Sequence, residues 1–355
     1  MCGIAGFAGD FPAELLGRMS RCVAHRGPDG AGERVLQPGD ERTRVGLAHR
    51  RLSIIDLSDD GAQPMGVDCP ACGLRHGEAA ERGLQLVFNG EIYNFREMRA
   101  GLEARGHRFH SRTDSEVLLH LYVEEGARML ERLNGIYALA LYDGRPRGQH
   151  GGIRPGDLLV ARDGLGVKPL YLSTVPEGLL FGSEIKSLLQ SGRVPRDVDP
   201  AALHYHLAYL WAPAPHTALR HVRKLRPGHA LLVRGGRVER EWCHYDLPYG
   251  REAMGGSEEE VAAALAARVE EAVERQMVAD VPVGAFLSGG LDSSAVVAMM
   301  RRARPDYRFN RPDFIKLNGP YGNRAAPDAT FLTPLAGVQN ADPGRQYQFQ
   351  ARLRF

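Results

Sequence analysis

Short apolar runs alternate with polar positions along the first 190 residues. Gly- and Pro-containing turns separate the runs, and alternation at a period of two is typical of strands with one buried face. The strand candidates are residues 3–7, 45–56, 84–88, 133–143, 158–163 and 170–172. Many short strands with few helices predict stacked antiparallel sheets.

Helices are predicted at fewer places. Thr113-Asp114-Ser115-Glu116 is a capping box before an apolar run, which places Asp114 in the first helical turn. Ser257-Glu258-Glu259-Glu260 is a second capping box, and apolar residues follow it at helical spacing. Residues 181–189 and 203–210 are further helix candidates, and residues 195–200 are predicted to form an inter-domain hinge.

A third pattern occurs late in the chain. An apolar run at 281–287 is followed by a loop of small residues at 288–294 and a predicted helix at 295–302. A strand, a glycine loop and a helix N-terminus together favour anion binding, because unpaired N–H groups point outward there. The loop is not a Walker sequence, since no Gly-Lys-Ser/Thr occurs. The alternative is a plain turn in which Asp292 or Ser293 caps the helix.

Composition and charge narrow the function classes. The chain has 45 basic and 43 acidic residues and a net charge of +2, so we expect no nucleic-acid partner. Five cysteines in 355 residues are not a disulfide framework, which favours a reducing, cytoplasmic location. We predict neither a signal peptide nor a membrane helix, and no membrane association for residues 1–308.

Cys2 is the first candidate for chemistry, because removal of Met1 would make it the N-terminal residue. Thiol and amine would then lie on one residue, and an α-amine with a pKa of about 8 could accept the thiol proton at neutral pH. The alternative is an ordinary buried cysteine at the start of a strand.

Three other stretches carry candidate residues, each with a structural alternative. Asn89-Gly90 is a type I′ hairpin turn, or else its side-chain amide and Gly90 N–H form an oxyanion hole. Arg51 holds a substrate carboxylate or makes an internal salt bridge. Asp114 complements the helix dipole or receives the ammonium group of an amino-acid substrate.

Six motifs in one order resemble the class II glutamine amidotransferase domain, an N-terminal-nucleophile glutaminase. They are Cys2-Gly3-Ile4, His25-Arg26-Gly27-Pro28-Asp29, Arg51-Leu52-Ser53-Ile54, Asn89-Gly90-Glu91-Ile92-Tyr93-Asn94, Thr113-Asp114-Ser115-Glu116, and Arg162-Asp163 with Lys168-Pro169-Leu170-Tyr171. The resemblance implies an α+β sandwich of stacked antiparallel sheets flanked by helices. It further implies Cys2 as nucleophile, Asn89 and Gly90 as oxyanion hole, and Arg51, Asn89, Gly90, Glu91 and Asp114 as glutamine-binding residues.

The late loop resembles the pyrophosphate-binding loop of ATP pyrophosphatases. Its residues are Leu287, Ser288, Gly289, Gly290, Leu291, Asp292, Ser293 and Ser294. A glutaminase followed by this loop, the first strand-loop-helix of an α/β synthetase domain, is similar to glutamine-hydrolysing asparagine synthetases. That resemblance implies ATP and magnesium as cofactors, and internal ammonia transfer to an ATP-activated aspartate.

The resemblance ends near residue 308, which leads us to expect a glutaminase with an incomplete synthetase half. We predict a glutaminase domain at 2–190, a linker with strands at 191–256, a truncated synthetase domain at 257–308 and an unrelated irregular tail at 309–355. A lone strand-loop-helix cannot bury both sheet faces, so loose packing is expected after residue 290. Another amidotransferase with a different carboxylate acceptor, a non-catalytic fragment and a homodimer remain open.

Two segments do not fit the family pattern. Cys69 and Cys72 form a Cys-x-x-Cys knuckle, half of a zinc ribbon, with His76 nearby and His107 and His110 farther along. The alternative is a metal-free loop. Residues 345–355 alternate like a barrel strand and resemble the last strand of a TonB-dependent outer-membrane receptor. An edge strand is an alternative, but we favour a fusion or assembly error, because the two parts belong to different compartments.

Overall fold

The structure is a computed structural model that describes residues 1–37, 43–67, 69, 82–145, 154–250, 255–285 and 290–304. The chain divides into two compact units, the first Met1–Tyr249 and the second beginning at Gly250. Among the described residues, no helix combines the length and the apolar character needed to cross a membrane. The predicted tail at 309–355 lies outside the described residues.

The first unit is built from antiparallel strands, as the alternating pattern predicted. These strands are β1 (Gly3–Gly9), β2 (Gly30–Leu36), β3 (Arg44–Arg51), β4 (Leu84–Ile92), β5 (Gly135–Asp143), β6 (Asp157–Arg162), β7 (Tyr171–Val175), β8 (Gly178–Gly182), β9 (Arg223–Lys224), β10 (His229–Arg234) and β11 (Arg237–Cys243). One sheet has the order β2-β3-β1-β8-β7-β9, and the other has the order β11-β10-β6-β5-β4. This confirms the prediction of antiparallel sheets.

Helices of the first unit pack on these sheets. They are α1 (Glu14–Cys22), α2 (Phe95–Glu103), α3 (Asp114–Glu125), α4 (Ile185–Leu189) and α5 (Pro200–Tyr209). Helices α1 and α4 pack beside β1 and β8, whereas α3 packs against α2 and β4. The helix predicted at 181–189 is therefore shorter, because its first two residues end strand β8.

The core follows the period-two pattern of β1. Ile4 and Ala8 belong to a buried cluster that contains residues of both sheets, such as Val160 of β6. Ala5 and Phe7, which point to the opposite face, pack with Leu15 and other residues of α1. β1 is thus covered on both faces, which keeps the residues at its start in a rigid position.

Helix α3 begins at the predicted cap, although the cap is not a full capping box. Thr113 Oγ1 accepts a hydrogen bond from the Glu116 N–H at 3.3 Å. The Glu116 carboxylate instead accepts the N–H groups of His110 and Ser111, at 2.9 and 2.7 Å. By contrast, Ser257 and Glu260 form the complete capping box that was predicted.

Strand β4 passes straight through Asn89-Gly90. Asn89 pairs with Ala138 and Gly90 with Tyr137 in an unbroken antiparallel register with β5. The type I′ hairpin turn is therefore wrong, and its physical reason is that a long partner strand continues on both sides of the dipeptide. β4 is an edge strand of its sheet, so only one of its edges pairs with β5.

The first unit extends beyond the predicted boundary at residue 190. β10 pairs with β6 in one sheet and β9 pairs with β7 in the other, so residues of the expected linker complete both sheets. The boundaries 2–190, 191–256 and 257–308 themselves stay predictions.

The described part of the second unit contains two helices, α6 (Glu258–Gln276) and α7 (Leu291–Ala303). Val273, Met277, Val283 and Met300 form a small buried cluster between them. Helix α7 confirms the predicted helix at 295–302, but residues 281–285, the described part of the predicted strand, adopt no strand. An isolated strand would leave its backbone groups without a ladder partner, which explains the difference.

Candidate active site

Cys2 is held by backbone and side-chain contacts where β1 begins. Its Sγ accepts a hydrogen bond from the Leu52 N–H at 3.3 Å, and its carbonyl accepts one from Arg26 Nε at 3.0 Å. Ile4 N–H donates to Ser183 Oγ at 3.0 Å, which fixes the start of β1 to the residue that follows β8. The nucleophile candidate is therefore oriented by three separate segments of the chain.

The surroundings of Cys2 favour the protonated thiol, so a base is needed to form the thiolate. Burial raises the pKa of the Cys2 thiol, while the Leu52 N–H and the ammonium of Met1 oppose that effect. Burial also lowers the pKa of the Met1 amine, and the charges of Lys168 and Arg26 act in the same direction. An amine at this place is thus more readily neutral, as a proton acceptor must be.

The free edge of β4 presents a row of N–H groups. Leu86 N–H donates to Met65 O, Phe88 N–H to Gln63 Oε1 and Ile92 N–H to Asp114 Oδ2, at 2.9, 2.7 and 2.7 Å. Because alternate residues of an antiparallel strand point to the same edge, the Gly90 N–H lies in this row. It faces away from β5, as an oxyanion donor would need to.

Asn89 supplies a second polar group at this position. Its side chain is 1% exposed, and within the described part of the chain neither its Oδ1 nor its Nδ2 has a hydrogen-bond partner. A buried amide without a partner costs about 1–3 kcal/mol, so it is unusual unless a ligand completes it. The predicted oxyanion pair, Asn89 and Gly90, is consistent with this arrangement.

Two carboxylates and a lysine surround the same region. Burial and the Asp114 charge raise the pKa of Glu91 well above its usual value. Burial raises the pKa of Asp114 to about 6, although its carboxylate accepts the Ile92 N–H. Burial lowers the pKa of Lys168, and the negative charges of Glu91 and Cys2 act in the opposite direction. The charges of Cys2, Glu91, Asp114 and Lys168 therefore influence one another's ionisation.

Arg51 is anchored by the loop that follows β3. Its guanidinium donates to the carbonyl of Ser58 at 2.5 Å and to the carbonyl of Asp56. The same group packs over Gly61, where an added Cβ would meet Arg51 Nη2 at 2.0 Å. These partners are backbone carbonyls and not the carboxylate of an internal salt bridge. The binding of a substrate carboxylate by Arg51 stays a prediction.

Sequence reasoning assigned no role to Arg26 and Lys168, although both lie in quoted motifs. Arg26 holds the Cys2 carbonyl and also pairs with Glu184 at 3.2 Å. Lys168 is 7% exposed, and its N–H donates to Asp163 Oδ2 at 3.0 Å. Lysine is rarely this buried without a functional or ionic partner. In the sequence, the place of Lys168 between Gly166 and Pro169 was the feature that could have pointed to it.

Residues 1–244 match the family described as the glutamine amidotransferase domain, which is more than half of the chain. The chain belongs to the glutamine amidotransferase family. The two antiparallel sheets with their shared core and flanking helices confirm the predicted α+β sandwich of stacked antiparallel sheets. In this amidotransferase a second match, to the asparagine synthase family, covers residues 264–325.

Several curated relatives of this amidotransferase are named asparagine synthetases. Glutamine-hydrolysing asparagine synthetase 3 of Bacillus subtilis is 35% identical over 306 residues, covering 84% of this chain and 45% of the relative. Glutamine-hydrolysing asparagine synthetase of Brassica oleracea is 32% identical over 308 residues, covering 85% of this chain and 42% of the relative. The solved glutamine phosphoribosylpyrophosphate amidotransferase of B. subtilis has a TM-score of 0.47 at 15% identity, covering 89% and 68%. The chain spans about half the length of the curated relatives it matches.

The predicted pyrophosphate loop is only partly described. Leu287, Ser288 and Gly289 lie outside the described residues, whereas Gly290 is the N-cap of α7 and Leu291, Asp292, Ser293 and Ser294 form its first turn. The hydroxyl groups of Ser293 and Ser294 donate to the Gly290 carbonyl at 3.1 and 2.8 Å. Gly290 makes no side-chain cap at this helix N-terminus, and the binding of a phosphate group there stays a prediction.

Proposed function

We propose that the first unit hydrolyses glutamine to glutamate and ammonia, with Cys2 as nucleophile. The observation that carries this proposal is the buried, unpartnered Asn89 amide within the described residues, beside a Gly90 N–H on the free edge of β4. Two donors at one point are suited to a negatively charged oxygen. The charged groups that act on the Cys2 thiol, which include Glu91 and Lys168, support the same conclusion.

The reaction follows from the groups present. After removal of Met1, the Cys2 amine accepts the thiol proton, and the sulfur attacks the amide carbon of the glutamine side chain. Asn89 Nδ2 and Gly90 N–H stabilise the oxyanion. The Cys2 ammonium returns its proton to the departing nitrogen, so ammonia leaves and a thioester forms. Water, deprotonated by the same amine, then cleaves the C–S bond and releases glutamate.

Glutamine recognition is assigned to charged groups around this point. The Asp114 carboxylate and Glu91 receive the substrate ammonium group, and Arg51 receives its carboxylate. Arg26 and Lys168 act on Cys2 without a bond to substrate in this proposal. Arg26 positions the Cys2 backbone, and Lys168 supplies positive charge near its sulfur.

We further propose that the whole protein transfers the ammonia to an ATP-activated aspartate. The support is the asparagine synthase match at 264–325 and the glycine N-cap of α7. Gly290 and the first turn of α7 would hold a phosphate of ATP, and magnesium would neutralise its charge. Another carboxylate acceptor remains the alternative. The cytoplasmic location is proposed on the four described cysteines, none of which forms a disulfide.

Substitution of the nucleophile tests the proposal. We expect Cys2→Ala to lower steady-state ammonia release from glutamine by at least about a thousandfold, because no other group replaces the sulfur. Cys22→Ala is the matched control, since Cys22 is a free cysteine on α1 and should leave the rate unchanged. Equal rates for Cys2→Ala and the unmodified protein would refute the assignment, as would a mass spectrum showing that active protein retains Met1.

A further inference from the structure

One cluster of metal-ligating side chains lies outside the residues assigned to glutamine hydrolysis. Cys69, His107 and His120 each offer one ligand atom, and these three atoms lie within 4.8 Å of one another. All three residues are buried, with exposed fractions of 0%, 4% and 0%. In a tetrahedral zinc site with bonds of about 2.0–2.3 Å, ligand atoms lie about 3.3–3.6 Å apart. The cluster therefore needs only small shifts to enclose an ion.

The two imidazoles are oriented as metal ligands commonly are. His107 Nε2 lies 2.8 Å from Glu124 Oε1, and His120 Nε2 lies 3.7 Å from Glu116 Oε1. The short contact with Glu124 keeps the hydrogen of His107 on Nε2 and leaves a lone pair on its Nδ1, whereas the distance from His120 Nε2 to Glu116 is longer than a hydrogen bond. The two Nδ1 atoms are 3.0 Å apart, so both imidazoles direct this nitrogen to the same point.

The sulfur has the surroundings of a bound thiolate. Arg108 N–H donates to Cys69 Sγ at 3.3 Å, which stabilises negative charge on the sulfur. The ring centroids of Phe109 and His120 lie 4.2 Å apart, which places an apolar side chain at the site. A thiolate with two imidazoles is a donor set that suits zinc, which accepts both nitrogen and sulfur ligands.

We propose that Cys69, His107 and His120 bind a structural zinc ion. The ion joins the segment before β4 to helix α3, which carries His120 and also, at its first turn, Asp114. Cys72 lies outside the described residues, and its role as a further ligand stays a prediction from the Cys-x-x-Cys spacing. The proposal does not depend on glutaminase activity. Its alternative is a metal-free pair in which the Nδ1–H of one histidine donates to the Nδ1 of the other.

Metal analysis of the full chain tests the proposal. Protein produced with added zinc and then dialysed should retain about one zinc ion per chain, measured by inductively coupled plasma mass spectrometry. Cys69→Ser and His120→Asn should each lose most of that zinc. Cys243→Ser and His206→Asn are matched controls on exposed residues and should keep it. Chelation should lower the Tm of the unmodified protein by at least about 5 °C, and that of Cys69→Ser much less.

A spectrum of the unmodified protein covers the case in which a variant fails to fold. Cobalt introduced in place of zinc should give visible bands of a tetrahedral site and a near-ultraviolet thiolate-to-metal band. Protein that retains no zinc and shows no such bands with cobalt would overturn the proposal in favour of the metal-free histidine pair. Zinc retained equally by folded Cys69→Ser and His120→Asn would overturn it as well.

Discussion

At the scale of single residues, burial decides which charges exist at the candidate site. Glu91 and Asp114 are two carboxylates in one buried region, and the pKa of each is raised by burial. Two such groups cannot both ionise cheaply unless a cation is near, and the ammonium groups of Lys168 and of the N-terminus both act on Glu91. The ammonium group of an amino-acid substrate would add a further cation and so favour the ionised carboxylates.

This reasoning predicts how glutamine binding depends on pH. Because the pKa of Asp114 is raised to about 6, its carboxyl is largely protonated at pH 5 and ionised at pH 7. Only the ionised form attracts the substrate ammonium group, so the KM for glutamine should be about tenfold higher at pH 5 than at pH 7. Initial-rate kinetics of ammonia release across this interval measure the effect.

Asp114→Asn removes the titrating group and should raise KM at both values of pH, with little dependence on pH between them. The exposed Asp246→Asn is the matched control and should keep the profile of the unmodified protein. A KM that does not change between pH 5 and 7 in the unmodified protein would contradict the role of Asp114.

At the scale of elements, β4 is both a structural edge and the source of the oxyanion donors. Its outer N–H groups are used by Met65, Gln63 and Asp114, which fix the strand on either side of Gly90. The strand is also crowded on its paired side. A Cβ at Gly90 would lie 2.3 Å from the Ile136 carbonyl oxygen and 2.7 Å from Tyr137 Cβ. Glycine is therefore required by packing as well as by chemistry.

We predict that Gly90→Ala destabilises the protein by about 1–3 kcal/mol, because the new methyl group must displace β5 backbone. Urea unfolding measures the free energy. Gly101→Ala is the matched control, since Gly101 lies in helix α2 with no atom within 4 Å of an added Cβ. This control should be stabilised by up to about 1 kcal/mol. Equal stability of Gly90→Ala and the unmodified protein would show that the strand is not packed as described.

At the scale of the whole molecule, the first unit is defined by its sheets and not by the motifs. The last motif ends at Tyr171, but β10 pairs along β6 and buries Leu231 and Val233 in the core shared by both sheets. A chain that stops at residue 190 lacks this strand and leaves β6 as an exposed apolar edge. Such an edge favours aggregation.

Truncation at two positions tests where the glutaminase ends. We expect residues 1–249 to unfold in one cooperative transition and to retain ammonia release from glutamine within about threefold of the full chain. We expect residues 1–190 to be insoluble or to lack a cooperative transition. Circular dichroism during heating and the ammonia assay measure both outcomes. An active, cooperatively folded 1–190 chain would support the boundary predicted from sequence.

The sequence alone determined the local features of this protein. The period-two pattern predicted antiparallel sheets, Thr113 and Ser257 were predicted as helix caps, and the ordered motifs indicated an amidotransferase with Cys2 at its head. These signals are local, because strand alternation and capping depend on residues a few positions apart. Motif order is likewise contained in the chain itself.

Only the tertiary structure decided how distant segments meet. The pairing of β4 with β5 made Asn89-Gly90 part of a strand instead of a turn, and the pairing of β10 with β6 carried the first unit to Tyr249. His120 lies in the apolar run at 117–123 of α3 with no spacing that links it to Cys69, yet folding brings both to one point. Such contacts depend on long-range strand register and helix packing, which no short window of sequence contains.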